Sequence, residues 1–316
     1  GWGDALAERL IPLLPKDAGF QSISEWEQPL ERGGVRSVVG EYSISVVGPG
    51  PRALRNWAIA RKSGLRTLAK TQFNNTWEIS AVPYIPVMHL IARHAEGLAR
   101  AGISGIMPSW TCGGYPSPNL EVASQFYFEP RPSLEEALRR VAVRRYGTQA
   151  APRILEAWSL FSSAFEEFPY GVAIYVIPTQ HGPANLLRLR PTGRKSSMIL
   201  FPEDDYRSWV GRYPPAVVES QFTKLAARWR DGLAVFRKVL AQVPPGNSDV
   251  AAADLAIAET CYHHFQSTAN QVKFYLLRDA LAEAAGSRKR ELLVEMRTIA
   301  ERELDIAKRQ FPLARN

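Results

Sequence analysis

With 316 residues, the chain is long enough to bury a sizeable core, as one large or two ordinary domains. Its 46% hydrophobic and 22% charged residues are ordinary for a globular protein, and the longest apolar runs, such as Val35 to Val47, are broken by Arg36, Ser37, Glu41 and Ser43, which excludes a span of roughly 20 apolar residues. The 39 basic and 31 acidic residues leave a net charge of +8 but are interspersed rather than gathered in a tail, which argues against a nucleic-acid partner.

The chain opens on Gly1-Trp2-Gly3-Asp4, with neither an initiator Met nor a basic, apolar targeting segment, so a processed chain or a fragment is expected. Asp4 is a candidate cap for a short helix reaching about Leu14, stopped by Pro15. A strand fits Gly19 to Ser24 and delivers Glu25-Trp26-Glu27 to its carboxyl end, where extended backbone would put Glu25 and Glu27 on one side and Trp26 on the other. Gly33-Gly34 breaks the chain before a β-prone stretch from Val35 to Ser45, which carries Glu41 and Tyr42 and runs into the turn-rich Val47-Gly48-Pro49-Gly50-Pro51. Arg52 to Ser63 reads as a helix with Gly64 as its C-cap.

Leu65 to Phe73 is a further β-prone run, ending in Asn74-Asn75-Thr76-Trp77-Glu78. A helix follows from about Pro86 to Ala101, with Val87, Leu90, Ile91 and Leu98 near helical spacing and Gly102 as its stop. Ile103 to Met107 is a strand that ends in the loop Ser109-Trp110-Thr111-Cys112-Gly113-Gly114-Tyr115. Strand, polar loop and helix in tandem suggest parallel βα repeats, whose ligand sites gather at the carboxyl ends of the strands.

Beyond residue 118 the character changes. Ser117 or Asn119 caps a short helix, Pro130-Arg131-Pro132 marks a boundary, and Ser133 with Glu136 forms a capping box for a helix to about Tyr146. A second helix is expected near Gln149 to Glu167. Residues 169–216 carry seven prolines and read as irregular, which in a compact protein points to a functional segment or to one ordered against a neighbouring domain. Within them, Gln180 to Asn185 and Phe201 to Tyr206 mix polar and aromatic groups. From Val217 onward three helices are expected, at about 217–242, 249–285 and 287–310.

The fold expected is therefore α/β: a partial (β/α) TIM-barrel-type region over 1–130 that carries the site, helices and long irregular loops over 131–216, and an α-helical bundle over 217–316. Only three or four barrel-type strands can be found, whereas a barrel takes eight, so a missing N-terminal barrel portion or a homo-oligomer is a candidate partner.

Carboxylates at strand ends are the strongest chemical signal. Glu78, Glu25 and Glu41 are the candidate catalytic residues, because two carboxyls facing across a cleft can serve as proton donor and as nucleophile or base in glycoside hydrolysis. Each could equally pair with an arginine or cap a helix. Trp26, Tyr42, Asn74, Asn75, Trp77, Trp110 and Tyr115 accompany them, and aromatic faces beside amide donors suit the apolar face and hydroxyl rim of a sugar. His89 and His94, five apart, and the adjacent His263-His264 lack the three or four suitably spaced ligands of a metal site. Cys112 and Cys261 match no metal or redox spacing and leave the compartment open, cytoplasmic or exported. No phosphate-cradling loop or nucleophile elbow is present, so neither metal nor cofactor is expected.

Ser24-Glu25-Trp26, Gly40-Glu41-Tyr42-Ser43, Asn74-Asn75-Thr76-Trp77-Glu78 and Ser109-Trp110-Thr111-Cys112-Gly113-Gly114-Tyr115-Pro116-Ser117, followed by Arg144-Arg145-Tyr146-Gly147, resemble the C-terminal half of bacterial (β/α)8 glycoside-hydrolase-like proteins that append a helical domain, similar in layout to hexosaminidase and α-glucuronidase relatives. The resemblance implies cleavage of O-glycosidic bonds by a carboxylate pair acting on a carbohydrate substrate. It departs from the N-acetylhexosaminidase pattern in lacking a tandem Asp-Glu at a strand end. The alternative is a non-catalytic carbohydrate-binding or scaffold protein.

Overall fold

The computed structural model describes residues 4–109, 114–197 and 204–315. Their strands are β1 (Gly19–Ile23), β2 (Pro29–Arg32), β3 (Val35–Val38), β4 (Arg66–Lys70) and β5 (Gly105–Met107). The α-helices are α1 (Asp4–Leu10), α2 (Pro51–Lys62), α3 (Met88–Arg100), α4 (Pro118–Ser124), α5 (Leu134–Phe165), α6 (Val172–Val176), α7 (Pro215–Val239), α8 (Ser248–Glu283) and α9 (Gly286–Leu313).

The expected TIM-barrel-type region is not formed. Among the described residues, β1, β4 and β5 make one open parallel sheet in that order, with Gly19 opposite Arg66 and Leu68 opposite Gly105, and the chain is dominated by helix. Part of the difference lies in the stretch from Val35 to Ser45. Its first residues fold back antiparallel on β2 through Gly33 and Gly34, whose φ values of 54° and 76° suit glycine in a two-residue hairpin turn. Regular pairing stops at Val38, and residues 39–50 cross the strand ends as irregular backbone.

Helix α2 packs on β1 and β4, and α3 packs against α4 and α5. Trp57 of α2 is fully buried and donates its indole N–H to the Leu68 carbonyl of β4 at 3.0 Å. On α3, Leu90, Ile91, Ala95 and Leu98 recur on one face and are buried, as their spacing requires. The helix expected to end near Tyr146 and the one expected from Gln149 are the two helical segments of α5, which meet at a break where Gly147 takes the non-helical φ 82° and ψ 161°. Half of the expected capping box forms: Ser133 Oγ accepts the Glu136 N–H at 3.2 Å, while the Glu136 carboxylate turns to Arg139 and Arg140.

Helices α5, α7, α8 and α9 pack in succession. Their centre is aromatic: Phe161 stacks on Trp229 at 4.6 Å, and Phe265 meets the same indole edge-on at 5.2 Å. Trp229 donates its indole N–H to the Ala258 carbonyl at 2.9 Å. The core runs without a break from Leu30, Trp57 and Leu90 through these rings to Ile299.

One buried polar node ties the helices to the sheet side. Asp254 of α8 accepts three bonds from Arg145 of α5, the shortest at 2.9 Å, and hydroxyl bonds from Tyr146 at 2.7 Å and from Tyr84. Arg145 reaches on to Glu121 of α4 at 2.8 Å. Removing one partner of a buried pair leaves the other desolvated. Asp254→Ala, which leaves the guanidinium with Glu121 alone, is expected to cost about 3 kcal/mol in urea unfolding, the lower end for such a break. A loss below about 1 kcal/mol, the range of surface pairs, would contradict this role.

Candidate functional site

Pairing continues one residue past the parallel strands: Ser24 N–H reaches the Lys70 carbonyl and Thr71 N–H the Met107 carbonyl, both at 3.0 Å. Ser24-Glu25, Lys70-Thr71-Gln72 and Ser109 therefore stand side by side at the carboxyl ends, where open α/β sheets keep their ligands. Extended geometry does not persist beyond Ser24. The Gln28 N–H closes a turn on the Glu25 carbonyl at 3.0 Å, and Glu27 takes φ 64°. Glu25 consequently turns inward, while Glu27 turns to α2 and pairs with Arg55 at 2.7 Å and Arg52 at 3.6 Å. The two do not share a side.

Glu25 and Glu78 are brought together on Ser43. The Ser43 N–H donates to Glu25 at 3.0 Å, and its hydroxyl donates to Glu78 at 2.6 Å. Glu78 also accepts the Ile44 N–H and the Thr76 hydroxyl, both at 3.1 Å. Both side chains are buried, at 1% and 0% exposure, and neither lines either of the two clefts described below. Burial raises the Glu25 carboxyl from 4.5 to about 8, against bonds from Ser24 and Ser43 that lower it. Burial likewise raises Glu78 to about 7, against Ser43, Ile44 and Thr76. Glu25 therefore holds its proton near neutrality and Glu78 titrates around it, as desolvated carboxyls do.

A third group joins them from α3. His94 Nε2 lies 2.8 Å from Ser24 Oγ, which also bonds the Glu25 carboxyl, and burial pulls the imidazole from 6.5 to about 3. Lys70 lies at the same strand ends. Its ammonium donates to the Ser109 carbonyl, and burial lowers its pKa while the charge of Glu25 opposes that shift. Gln72 accepts the Tyr175 hydroxyl at 2.6 Å, and its buried Nε2 has no hydrogen-bond partner among the described residues. Ser43, His94, Lys70 and Gln72 were not selected from the sequence. A serine two residues past Glu41 and a histidine on an apolar helix face carry no local signal of their partners, which lie 18 to 70 residues away.

The remaining candidates are dispersed. Glu41 is exposed and offers its backbone N–H to the Tyr170 hydroxyl oxygen at 2.9 Å. Asn74 donates to the Tyr115 carbonyl at 3.0 Å, and Asn75 donates to the Ser80 and Val82 carbonyls at 3.3 and 2.8 Å, so these amides shape loops. The Trp77 carbonyl accepts from Gln180. Trp110 lies outside the described residues. Trp26 and Tyr42 line a cleft of about 430 Å³ beside β1. Tyr115 lines a second cleft of about 810 Å³, between the loop at Ala81–Pro83, the segment around Gln180 and His181, and α8.

Among the described residues, no three His, Cys, Asp or Glu side chains are grouped to hold a metal ion, and no helix is long and apolar enough to cross a membrane. No family model, curated protein or solved structure matches this chain.

The buried groups set a pH dependence of stability. Between about 4.5 and 6.5, the folded chain holds protons on Glu25 and Glu78 that the unfolded chain has released. Over the same range the unfolded chain holds protons on His94 and His264, which burial keeps neutral when folded, so the slopes offset. Above 6.5 only the carboxyl contribution remains, and stability falls as pH rises toward 7 and 8, the folded values of Glu78 and Glu25. Glu25→Gln and Glu78→Gln are each expected to flatten that fall in urea midpoints measured across this window. The same slope in both variants would refute the assignment.

Proposed function

We propose that the protein binds a carbohydrate in the 810 Å³ cleft beside the Asn74–Pro83 loop. The observation that supports this most is the lining of that cleft. Tyr115 offers an aromatic wall, backed by the Tyr84 ring at 6.0 Å, while Gln180, His181, Thr260, His264 and Gln310 supply polar atoms around an otherwise apolar surface. A pyranose presents apolar C–H faces and a hydroxyl rim, which suits a pocket of this composition. His264 faces the Thr179 carbonyl through Nδ1, and burial holds the imidazole neutral by lowering it to about 4, so its Nε2 is an acceptor for a hydroxyl.

A glycosidase is the second reading, favoured by one observation: two adjacent carboxyls are raised to near neutrality, the range of a general acid. Binding without hydrolysis is preferred because both carboxyls are spent on the backbone and hydroxyls of residues 24, 43, 44 and 76, and neither lines the cleft. Calorimetric titration with neutral oligosaccharides is expected to give binding that Tyr115→Ala weakens about tenfold, the loss of one aromatic contact. Aryl glycosides are expected to remain intact. Turnover that disappears in Glu78→Gln or Glu25→Gln would replace this reading by the glycosidase, and neither binding nor turnover would refute both.

A further inference from the structure

Residues 186–197 carry Arg188, Arg190, Arg194 and Lys195 and no acidic residue. Their backbone is irregular, yet it is fastened to α8 at several points. Tyr275 of α8 donates its hydroxyl to the Leu186 carbonyl at 3.3 Å, and Arg278, one turn on, donates to the Arg188 carbonyl at 3.2 Å. Asp204 accepts the Thr192 N–H and hydroxyl at 2.9 and 2.7 Å and pairs with Arg278 at 3.1 Å. Leu187 packs against the main core, and Gly193, at φ 70°, turns the chain between Thr192 and Arg194. These attachments give the segment a defined outer face.

That face combines two chemistries. Leu186 and Leu189 are 67% and 65% exposed, so each forgoes most of the burial that a leucine gains in a core. Arg190, Arg194 and Lys195 are exposed as well, and none of the three pairs with a carboxylate among the described residues. Asp204, the acid that holds this segment, is itself buried and spent on Thr192 and Arg278. Three solvated, unpaired cations set a local positive field that attracts a polyanion within a Debye length. A polynucleotide would meet the cations and leave the leucines in water. An anionic bilayer meets both, because its head groups counter Arg and Lys while leucine side chains enter the acyl boundary.

We propose that residues 186–195 dock the protein on an anionic lipid surface, with Leu186 and Leu189 entering it and Arg190, Arg194 and Lys195 lying against its phosphate and carboxylate head groups. The proposal is independent of the carbohydrate reading. Co-sedimentation of the full chain with vesicles tests it. Binding is expected to vesicles of equal parts phosphatidylserine and phosphatidylcholine but not to phosphatidylcholine alone, and it is expected to weaken steeply in about 1 M salt, where charges are screened beyond about 3 Å.

Arg190→Gln, Arg194→Gln and Lys195→Gln combined are expected to weaken binding about a hundredfold, at about fivefold per cation. Leu186→Ser with Leu189→Ser is expected to weaken it at least about tenfold, the scale of withdrawing apolar side chains from the acyl boundary. All five positions are exposed, so urea midpoints are expected to stay at the native value, which separates lost docking from a damaged fold. No binding to the mixed vesicles, equal binding to phosphatidylcholine alone, or undiminished binding by either variant would each overturn the proposal. So would duplex DNA held more tightly than the mixed vesicles, which would make the segment a nucleic-acid surface instead.

Discussion

Ser43 holds two carboxyl groups at once, and the strand-end architecture depends on that arrangement. Three parallel strands of five, five and three residues are too small a sheet to stand alone, so irregular segments must complete the layer. Those segments carry backbone N–H groups that cannot be buried without acceptors. Glu25 and Glu78 are those acceptors: they take the N–H groups of Ser43 and Ile44 and fix residues 39–50 across the ends of β1 and β4. Burial raises both carboxyls, so Glu25 stays protonated near neutrality and Glu78 titrates around it, which lowers the cost of placing two buried acids side by side.

The constraint propagates to the cleft. Glu78 and Thr76 cap each other, the N–H of Glu78 donating to Thr76 Oγ1 at 3.3 Å while the hydroxyl of Thr76 donates to the carboxyl at 3.1 Å. This fixes the turn at Trp77–Ile79, on which Gln180 and Thr179 then dock through the Trp77 and Glu78 carbonyls. Thr179 in turn orients His264. The acid pair and the polar wall of the larger cleft are thus linked through a short series of hydrogen bonds, although the carboxyls themselves never reach the cavity.

Much of this was legible in the sequence where the determining interactions are local. Helical periodicity located α2, α3, α7, α8 and α9 to within a few residues, and the Ser133-Glu136 pair marked the start of α5. The strand cores were visible as β-prone runs. What failed depends on distant partners: whether strands close into a barrel is decided by pairing across the chain, and nothing in Val35–Ser45 reveals that it turns back on β2 instead. Alternation failed at Glu27 because a single left-handed residue redirects a side chain. Asn74 and Asn75 looked like ligand donors because amides beside an indole suit a sugar, yet buried loops need donors for their own carbonyls, and those amides are spent there.

Glu25 also reaches the end of β4. Lys70 and Tyr42 stand within range of its charge, which raises the proton affinity of each. The Lys70 ammonium is itself held on the Ser109 carbonyl, across the ends of β4 and β5. Burial works against the charge on Lys70 and on Glu25 alike, so ionising the carboxyl favours the ammonium and, by linkage, the ammonium favours the carboxylate. The proton on Glu25 is therefore set by two opposed demands: the desolvation that suits an acceptor for Ser43, and the neighbouring cation that would draw the proton off.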